Sequence, residues 1–254
     1  MILETKDITM RFGGLVAVDK MNIQLGENDL VGVIGPNGAG KTTIFNMITG
    51  IYKPTEGDIF LNGQNMVGKH PAHITQAGIA RTFQNIRLFK NLSVLDNIRL
   101  AAHSNTNYGL AANIFKTKSY KVEEQRIKDE AFELLKIFNL EDNAYKISRN
   151  LPYGQQRRLE IARALATKPK VLLLDEPAAG MNPNETAELS ELIKWVRKEF
   201  KIAILLIEHD MKLVMNVCER IYVVDYGVLI AQGAPTEIQN DPKVIEAYLG
   251  QEVT

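Results

Sequence analysis

The chain has 254 residues, with 30 lysines and arginines balanced by 30 aspartates and glutamates for a formal net charge of zero. That length supports one large core or two closely joined ones, and the balance creates no field favouring nucleic acid, so no nucleic-acid partner is expected. A single cysteine, Cys218, excludes a disulfide within the chain, and the longest apolar runs are far too short to cross a bilayer.

The opening MILETKDITM carries no signal-peptide pattern, so the chain is expected in the cytosol. Met21 to Leu25 (MNIQL) alternates apolar with polar residues and predicts an antiparallel strand with one wet face. Leu30 to Ile34 (LVGVI) is continuously apolar, which suits a strand covered on both faces. It runs directly into GPNGAGKTT, Gly35 to Thr43, and then into the helical pattern IFNMITG. This is G-x-x-x-x-G-K-[ST] in the strand, loop, helix setting the motif requires. The glycines let the loop bend until backbone N–H groups converge on phosphate oxygens, and the helix start adds a favourable dipole. The cradle is assigned to Asn37, Gly38, Ala39, Gly40, Lys41, Thr42 and Thr43, with Lys41 bridging the terminal phosphates and Thr42 ligating Mg²⁺.

Asp58 to Gly63 (DIFLNG) alternates again and predicts a second antiparallel strand. His70 and His73 follow with no cysteine or carboxylate cluster beside them, so no structural metal site is expected. From Leu92 the texture turns helical, with a long charged and apolar repeat over Val122 to Leu140. Ser104 to Tyr120 within it is polar and interrupted, and reads as irregular or weakly helical. Asn150 to Leu165 (NLPYGQQRRLEIARAL) reads as a loop leading into an amphipathic helix, with Leu159, Ile161, Ala162 and Leu165 inward and the arginines solvated.

Val171 to Leu174 (VLLL), Ile202 to Ile207 (IAILLI) and Ile221 to Val224 (IYVV) are further buried-strand runs, suited to a mostly parallel sheet. The first ends in DEP, placing Asp175 and Glu176 where a phosphate loop needs acids: Asp175 is expected to hold Mg²⁺, and Glu176 to take a proton from the attacking water. Cys218, in MKLVMNVCER, reads as a small buried hydrophobe. No internal repeat or low-complexity tract is present.

The phosphate loop, a glutamine after a strand in ARTFQ, LPYGQ before a helix, an apolar run ending in DEP, and IEHD follow in an order and spacing that resemble the ATP-binding cassette family over nearly the whole chain. The resemblance implies an α/β fold: a P-loop NTPase core with a mostly parallel sheet, an N-terminal antiparallel β subdomain and an inserted helical subdomain. It places the RecA-like core and β subdomain at 1–91 and 166–232, the helical subdomain at 92–165 and a helical tail at 233–254. It also implies that Phe12 stacks on adenine with Val18 nearby, and that Gln84 touches Mg²⁺ and the attacking water. His209 then contacts the γ-phosphate, and Leu151 to Gln155 is the loop whose Tyr153, Gly154 and Gln155 close over ATP held by a second subunit. The arginines after it then lie beside an interface. Two positions depart from the family pattern: Pro152 replaces a serine, which removes its hydroxyl contact, and Asn182 stands where aspartate is usual.

The segments LPYGQQRRLEIARALATKP, LDEPAAGMNP and VIEAYLG look like the ATPase subunits of branched-chain amino-acid importers; those of urea importers and of lipopolysaccharide extraction share much of this. The implied cofactors are ATP and Mg²⁺. The implied partners are integral membrane permease subunits, a second copy or homologous cassette, and indirectly an extracytoplasmic solute-binding protein, with the chain at the cytoplasmic face of the membrane. A cassette-type clamp or regulator usually has two cassettes or a long coiled coil, and this chain has one cassette and no sustained heptads. A nucleotide kinase leaves LPYGQ and His209 without a purpose.

Overall fold

The computed structural model of the protein describes residues 1–105 and 118–249. Two compact units emerge: Met1–Gln84 together with the described residues from Lys170 onward, and Asn85–Pro169.

The first unit holds every strand among the described residues. Before the helical unit come β1 (Leu3–Phe12), β2 (Leu15–Met21), β3 (Gln24–Leu25), β4 (Leu30–Ile34), β5 (Glu56–Leu61), β6 (Gln64–Asn65) and β7 (Ile79–Arg81). After it come β8 (Val171–Asp175), β9 (Ala203–Ile207), β10 (Arg220–Asp225) and β11 (Val228–Gly233). Strands β10, β4, β9, β8 and β7 lie side by side in that order, all parallel, with β11 added antiparallel at one edge. Every residue of β4, β8 and β9 is buried, as their uninterrupted apolar runs demand. The smaller sheet, ordered β2-β1-β5-β6 with β3 also paired to β1, is antiparallel. Ile8, Met21, Leu25 and Ile59 from this sheet, with Ile23 between β2 and β3, join Val31, Val33, Phe45, Leu173 and Leu205 in one apolar core.

Met21 to Leu25 is two short pieces rather than the single strand expected. Lys20 adopts φ 44°, and the Asn22 amide donates to Lys20 O at 3.0 Å while its carbonyl accepts the Asp7 N–H at 2.9 Å. These local bonds bend the chain, and Thr5 Oγ1 takes over as acceptor for the Ile23 N–H at 2.8 Å. Helices α1 (Lys41–Ile48), α2 (Pro71–Ala77), α6 (Pro183–Phe200), α7 (Met211–Val217), α8 (Pro235–Gln239) and α9 (Pro242–Leu249) complete the unit. No described helix is long and apolar enough to cross a membrane.

The second unit contains α3 (Val94–Ala102), α4 (Lys118–Ile137) and α5 (Tyr153–Leu165), and no strand among its described residues. Residues 106–117 of the stretch expected to be irregular lie outside the described residues. The unit takes in residues on either side of 92–165; before residue 92, Asn97, buried in α3, bonds both the N–H of Phe89 (2.9 Å) and its carbonyl (3.2 Å). The Glu160 carboxylate likewise accepts the Arg87 N–H at 3.1 Å. Leu159, Ile161, Ala162 and Leu165 are buried as their spacing predicts. Arg157 is not solvated: its side chain is 0 % exposed, pairs with Glu160 at 2.7 Å and donates to Tyr153 Oη at 3.2 Å. A guanidinium three residues before a carboxylate on one helix face can form such a pair internally, and water is then dispensable.

Candidate functional site

Parallel strands all end on one side, and that side of the large sheet collects the expected residues. β4 delivers the phosphate loop, β8 ends in Asp175 and Glu176, β9 leads to Glu208 and His209, and β7 leads to Gln84. The crevice outside the carboxyl ends of such strands is where open α/β sheets bind ligands.

Backbone crowding dictates two glycines of the loop. Gly40 adopts φ 101°, and a Cβ there would stand 2.5 Å from Ala17 O; at Gly35 it would stand 1.9 Å from Val224 O. No other residue fits either position. No side chain caps the first turn of α1, which leaves the start of that helix suited to an anion. Asn37, Gly38 and Thr42 are exposed, Gly40 and Thr43 partly so, and Ala39 is buried. Lys41 is 5 % exposed, and its Nζ donates to Gly35 O and Pro36 O, each at 2.7 Å. Burial pushes its pKa below the ordinary lysine value, while the nearby Glu176 and Asp175 carboxylates pull it back up.

Asp175 and Glu176 reach the site by different routes. Asp175 continues β8 and its Oδ2 accepts from Arg81 Nη2 at 2.6 Å. Glu176 turns to φ 47°, a conformation costing about 1 kcal/mol or more for a residue with a side chain, and its N–H is held by Ile207 O at 2.8 Å. Its carboxylate then bridges two partners: Oε1 lies 2.8 Å from His209 Nε2, and Oε2 accepts from Gln84 Nε2 at 2.6 Å. The three side chains that sequence alone left scattered over 125 positions, from Gln84 to His209, therefore meet at one carboxylate.

Among the described residues no group of three or more His, Cys, Asp or Glu side chains could hold a metal ion unaided. The donors present, the Thr42 hydroxyl, the Asp175 carboxylate and the Gln84 amide, are hard oxygen ligands too few for a closed site. That fits Mg²⁺, which binds through one or two carboxylates and completes its shell with water and substrate phosphates.

Phe12, 43 % exposed at the end of β1, meets the Tyr52 ring edge-to-face with centroids 5.4 Å apart. Val18 is fully buried in β2 beneath the loop, 3.2 Å from where a Cβ on Gly40 would stand. Tyr153, Gly154 and Gln155 belong to the second unit, in the first turn of α5, whose N-cap Pro152 offers no side-chain hydrogen bond. There Gln155 Oε1 accepts from Asn143 Nδ2 at 3.2 Å, and Tyr153 is 43 % exposed. Asn182 caps α6: its Oδ1 accepts the N–H groups of Asn184 and Glu185, each at 3.0 Å, and Glu185 returns a bond to the Asn182 N–H at 2.9 Å. An asparagine meets that local demand as well as an aspartate does.

Two residues at the site were not foreseen. Arg81 pairs with Asp175, and Glu208, 3 % exposed, accepts backbone N–H groups from Ala178 (2.7 Å), His209 (2.9 Å) and Asp210 (3.2 Å). Glu208 thereby joins the loop after Glu176 to the loop carrying His209. Burial raises its pKa, against the opposing pull of those three N–H groups. Its sequence signal is the same as that of Asp175, an acid directly after a buried apolar run.

The model of the ABC transporter family matches residues 18–179, and that of the branched-chain amino acid ATP-binding cassette transporters matches residues 228–254. The high-affinity branched-chain amino acid transport ATP-binding protein LivG of Escherichia coli K12 is 48 % identical over 250 residues, covering 98 % of each chain. The crystal structure of an ATP-binding cassette of an ABC transporter in its ADP conformation superposes with a TM-score of 0.85 at 33 % identity, covering 98 % of both chains. A dimeric cassette in a post-hydrolysis state, bound to ADP and Pi, superposes with a TM-score of 0.77 at 25 % identity over 92 % of this chain and 98 % of its own. With its phosphate loop, paired acids and histidine assembled on that fold, the chain belongs to the ABC transporter family as an ATP-binding, ATP-hydrolysing cassette.

Proposed function

We propose that this ATPase energises a membrane importer of branched-chain amino acids, working at the cytoplasmic face of the membrane on integral permease subunits. A solute-binding protein on the far side contributes indirectly. The solute assignment is supported by the 48 % identity to LivG and by the match over residues 228–254. The observation that carries the hydrolytic reading is the Glu176 carboxylate held between Gln84 and His209 beside the phosphate loop.

In this reading the nucleotide phosphates lie on residues 37–43, and Lys41 exchanges the Gly35 and Pro36 carbonyls for terminal phosphate oxygens. Phe12 carries the adenine, with Val18 supporting the loop from below. Thr42, Asp175 and Gln84 hold Mg²⁺, which supplies neutralising charge at the phosphates when bound. Glu176 accepts the proton of the attacking water, and Gln84 and His209 orient it; their hydrogen bonds to Glu176 already fix where its two oxygens point. Tyr153, Gly154 and Gln155 of one copy complete the site of a second copy or a homologous cassette, a pairing supported by the dimeric relative. Two cassettes close head-to-tail on ATP, and hydrolysis reopens them.

The test is uptake by cells of the native host lacking this chain. Wild-type protein should restore accumulation of labelled leucine, isoleucine and valine, and Glu176→Gln should not. Undiminished branched-chain uptake in the deletion strain, with urea uptake lost instead, would overturn the solute assignment and leave the ATPase intact.

A further inference from the structure

We infer that Arg81 is a positioning residue for the metal-phosphate site, holding the Asp175 carboxylate and helix α1 at a fixed separation. The inference rests on the reading of this site as one for Mg²⁺ and ATP. The Arg81 side chain is 5 % exposed, as is that of Asp175. One nitrogen, Nη2, donates to Asp175 Oδ2 at 2.6 Å, and the other, Nη1, donates to Asn46 Oδ1 at 2.7 Å and reaches Thr49 Oγ1 at 3.4 Å. Phe83 and Phe45 lie beside the guanidinium, with ring centroids 4.9 and 5.4 Å from Cζ.

Each contact has a consequence for the metal donors. An aspartate carboxylate turns freely about its last torsion, and a buried charged donor on Oδ2 stops that rotation, leaving Oδ1 for a metal shell. Asn46 is four residues after Thr42, so both stand on the same face of α1. The rigid fork of one guanidinium therefore spans the helix that carries Thr42 and the strand that carries Asp175, the two expected Mg²⁺ donors farthest apart in sequence. Lysine, with a single nitrogen on a flexible stem, cannot hold both ends.

Arg81→Lys and Asn46→Ala test this, with Arg81→Met as a harsher variant. The binding of a fluorescent ATP analogue would be measured by equilibrium titration in EDTA and then with increasing Mg²⁺, alongside thermal unfolding and phosphate release. The expected result for Arg81→Lys is a rise of about 10- to 100-fold in the Mg²⁺ concentration that half-activates hydrolysis, the usual effect of losing a group that orients a metal ligand. Analogue affinity in EDTA should stay within about twofold, and Asn46→Ala should shift the Mg²⁺ requirement in the same direction by a smaller factor. A merely structural bridge would lower the unfolding temperature and leave the Mg²⁺ requirement unmoved. That outcome in Arg81→Lys and Asn46→Ala would overturn the inference, as would a parallel loss of affinity in EDTA. Wild-type protein that binds no nucleotide, or hydrolyses it without Mg²⁺, would instead sink the reading of the site itself.

Discussion

Replacing Glu176 by glutamine separates chemistry from binding at this site. The side chain keeps its length, and its backbone at φ 47° carries the same strain in either residue, so the fold is little disturbed. The amide oxygen still accepts from the Gln84 NH₂ (2.6 Å), and the new NH₂ can donate to His209 Nε2 (2.8 Å) in the tautomer that leaves that nitrogen unprotonated, so at most one of the two hydrogen bonds is lost. Losing one such bond costs about 1 kcal/mol of stability. Losing a positioned base costs about 10²- to 10⁴-fold in turnover, or roughly 3 to 5 kcal/mol in the barrier. Chemistry therefore suffers far more than folding or nucleotide affinity. Phosphate release at saturating ATP and calorimetric titration with ATP, on the same preparation, give the two numbers. Turnover within about threefold of wild type, with affinity unchanged, would remove Glu176 from the role of base.

Other changes probe the remaining contacts. Lys41→Ala removes a buried ammonium and should weaken ATP binding by about 10- to 100-fold, read by the same calorimetry, since charged hydrogen bonds contribute roughly 1.5 to 3 kcal/mol. Phe12→Ala deletes the stacking surface and should cost about 1 to 3 kcal/mol in ATP affinity while leaving turnover at saturation near normal. Arg157→Met takes the ion-pair partner from the buried Glu160 carboxylate, which keeps the Arg87 N–H, and should lower unfolding stability by about 3 to 5 kcal/mol in a urea titration, much of it recovered by adding Glu160→Leu. Burial pushes the Cys218 thiol up from 9.0 to about 12, so it should resist a disulfide reagent at pH 8 until the chain unfolds. Because the folded state keeps that proton longer, the contribution is constant below pH 9 and stability should fall as pH rises from there towards 12.

The fold was legible where one interaction dominates a whole segment. Runs such as Leu30–Ile34 and Ala203–Ile207 have no polar residue to place in water, so two covered faces were the sole solution. The phosphate loop was legible because its backbone demands glycine at fixed places. What escaped was set by partners remote in sequence or by competition between local bonds. Arg81 and Asp175 are 94 residues apart, and nothing in ARTFQ announces which acid the arginine will meet. Arg157 looked like a solvated charge because an amphipathic pattern reports polarity and does not report an internal partner three residues on. The break after Met21 depends on the Asn22 side chain outbidding the strand ladder, a balance of a few hydrogen bonds that alternation cannot reveal.

The order of the parallel strands also constrains how the protein can be made. β4, which feeds the phosphate loop, lies between β9 and β10, and neither exists until more than 160 further residues have left the ribosome. Throughout that interval a wholly apolar strand waits without either neighbour, while the second unit, Asn85–Pro169, can form from contacts within its own sequence. Nascent chains stopped before Ala203 should therefore carry an unsatisfied, sticky LVGVI segment and depend on chaperones, and nucleotide can help stabilise the protein no earlier than the moment β9 and β10 close around it.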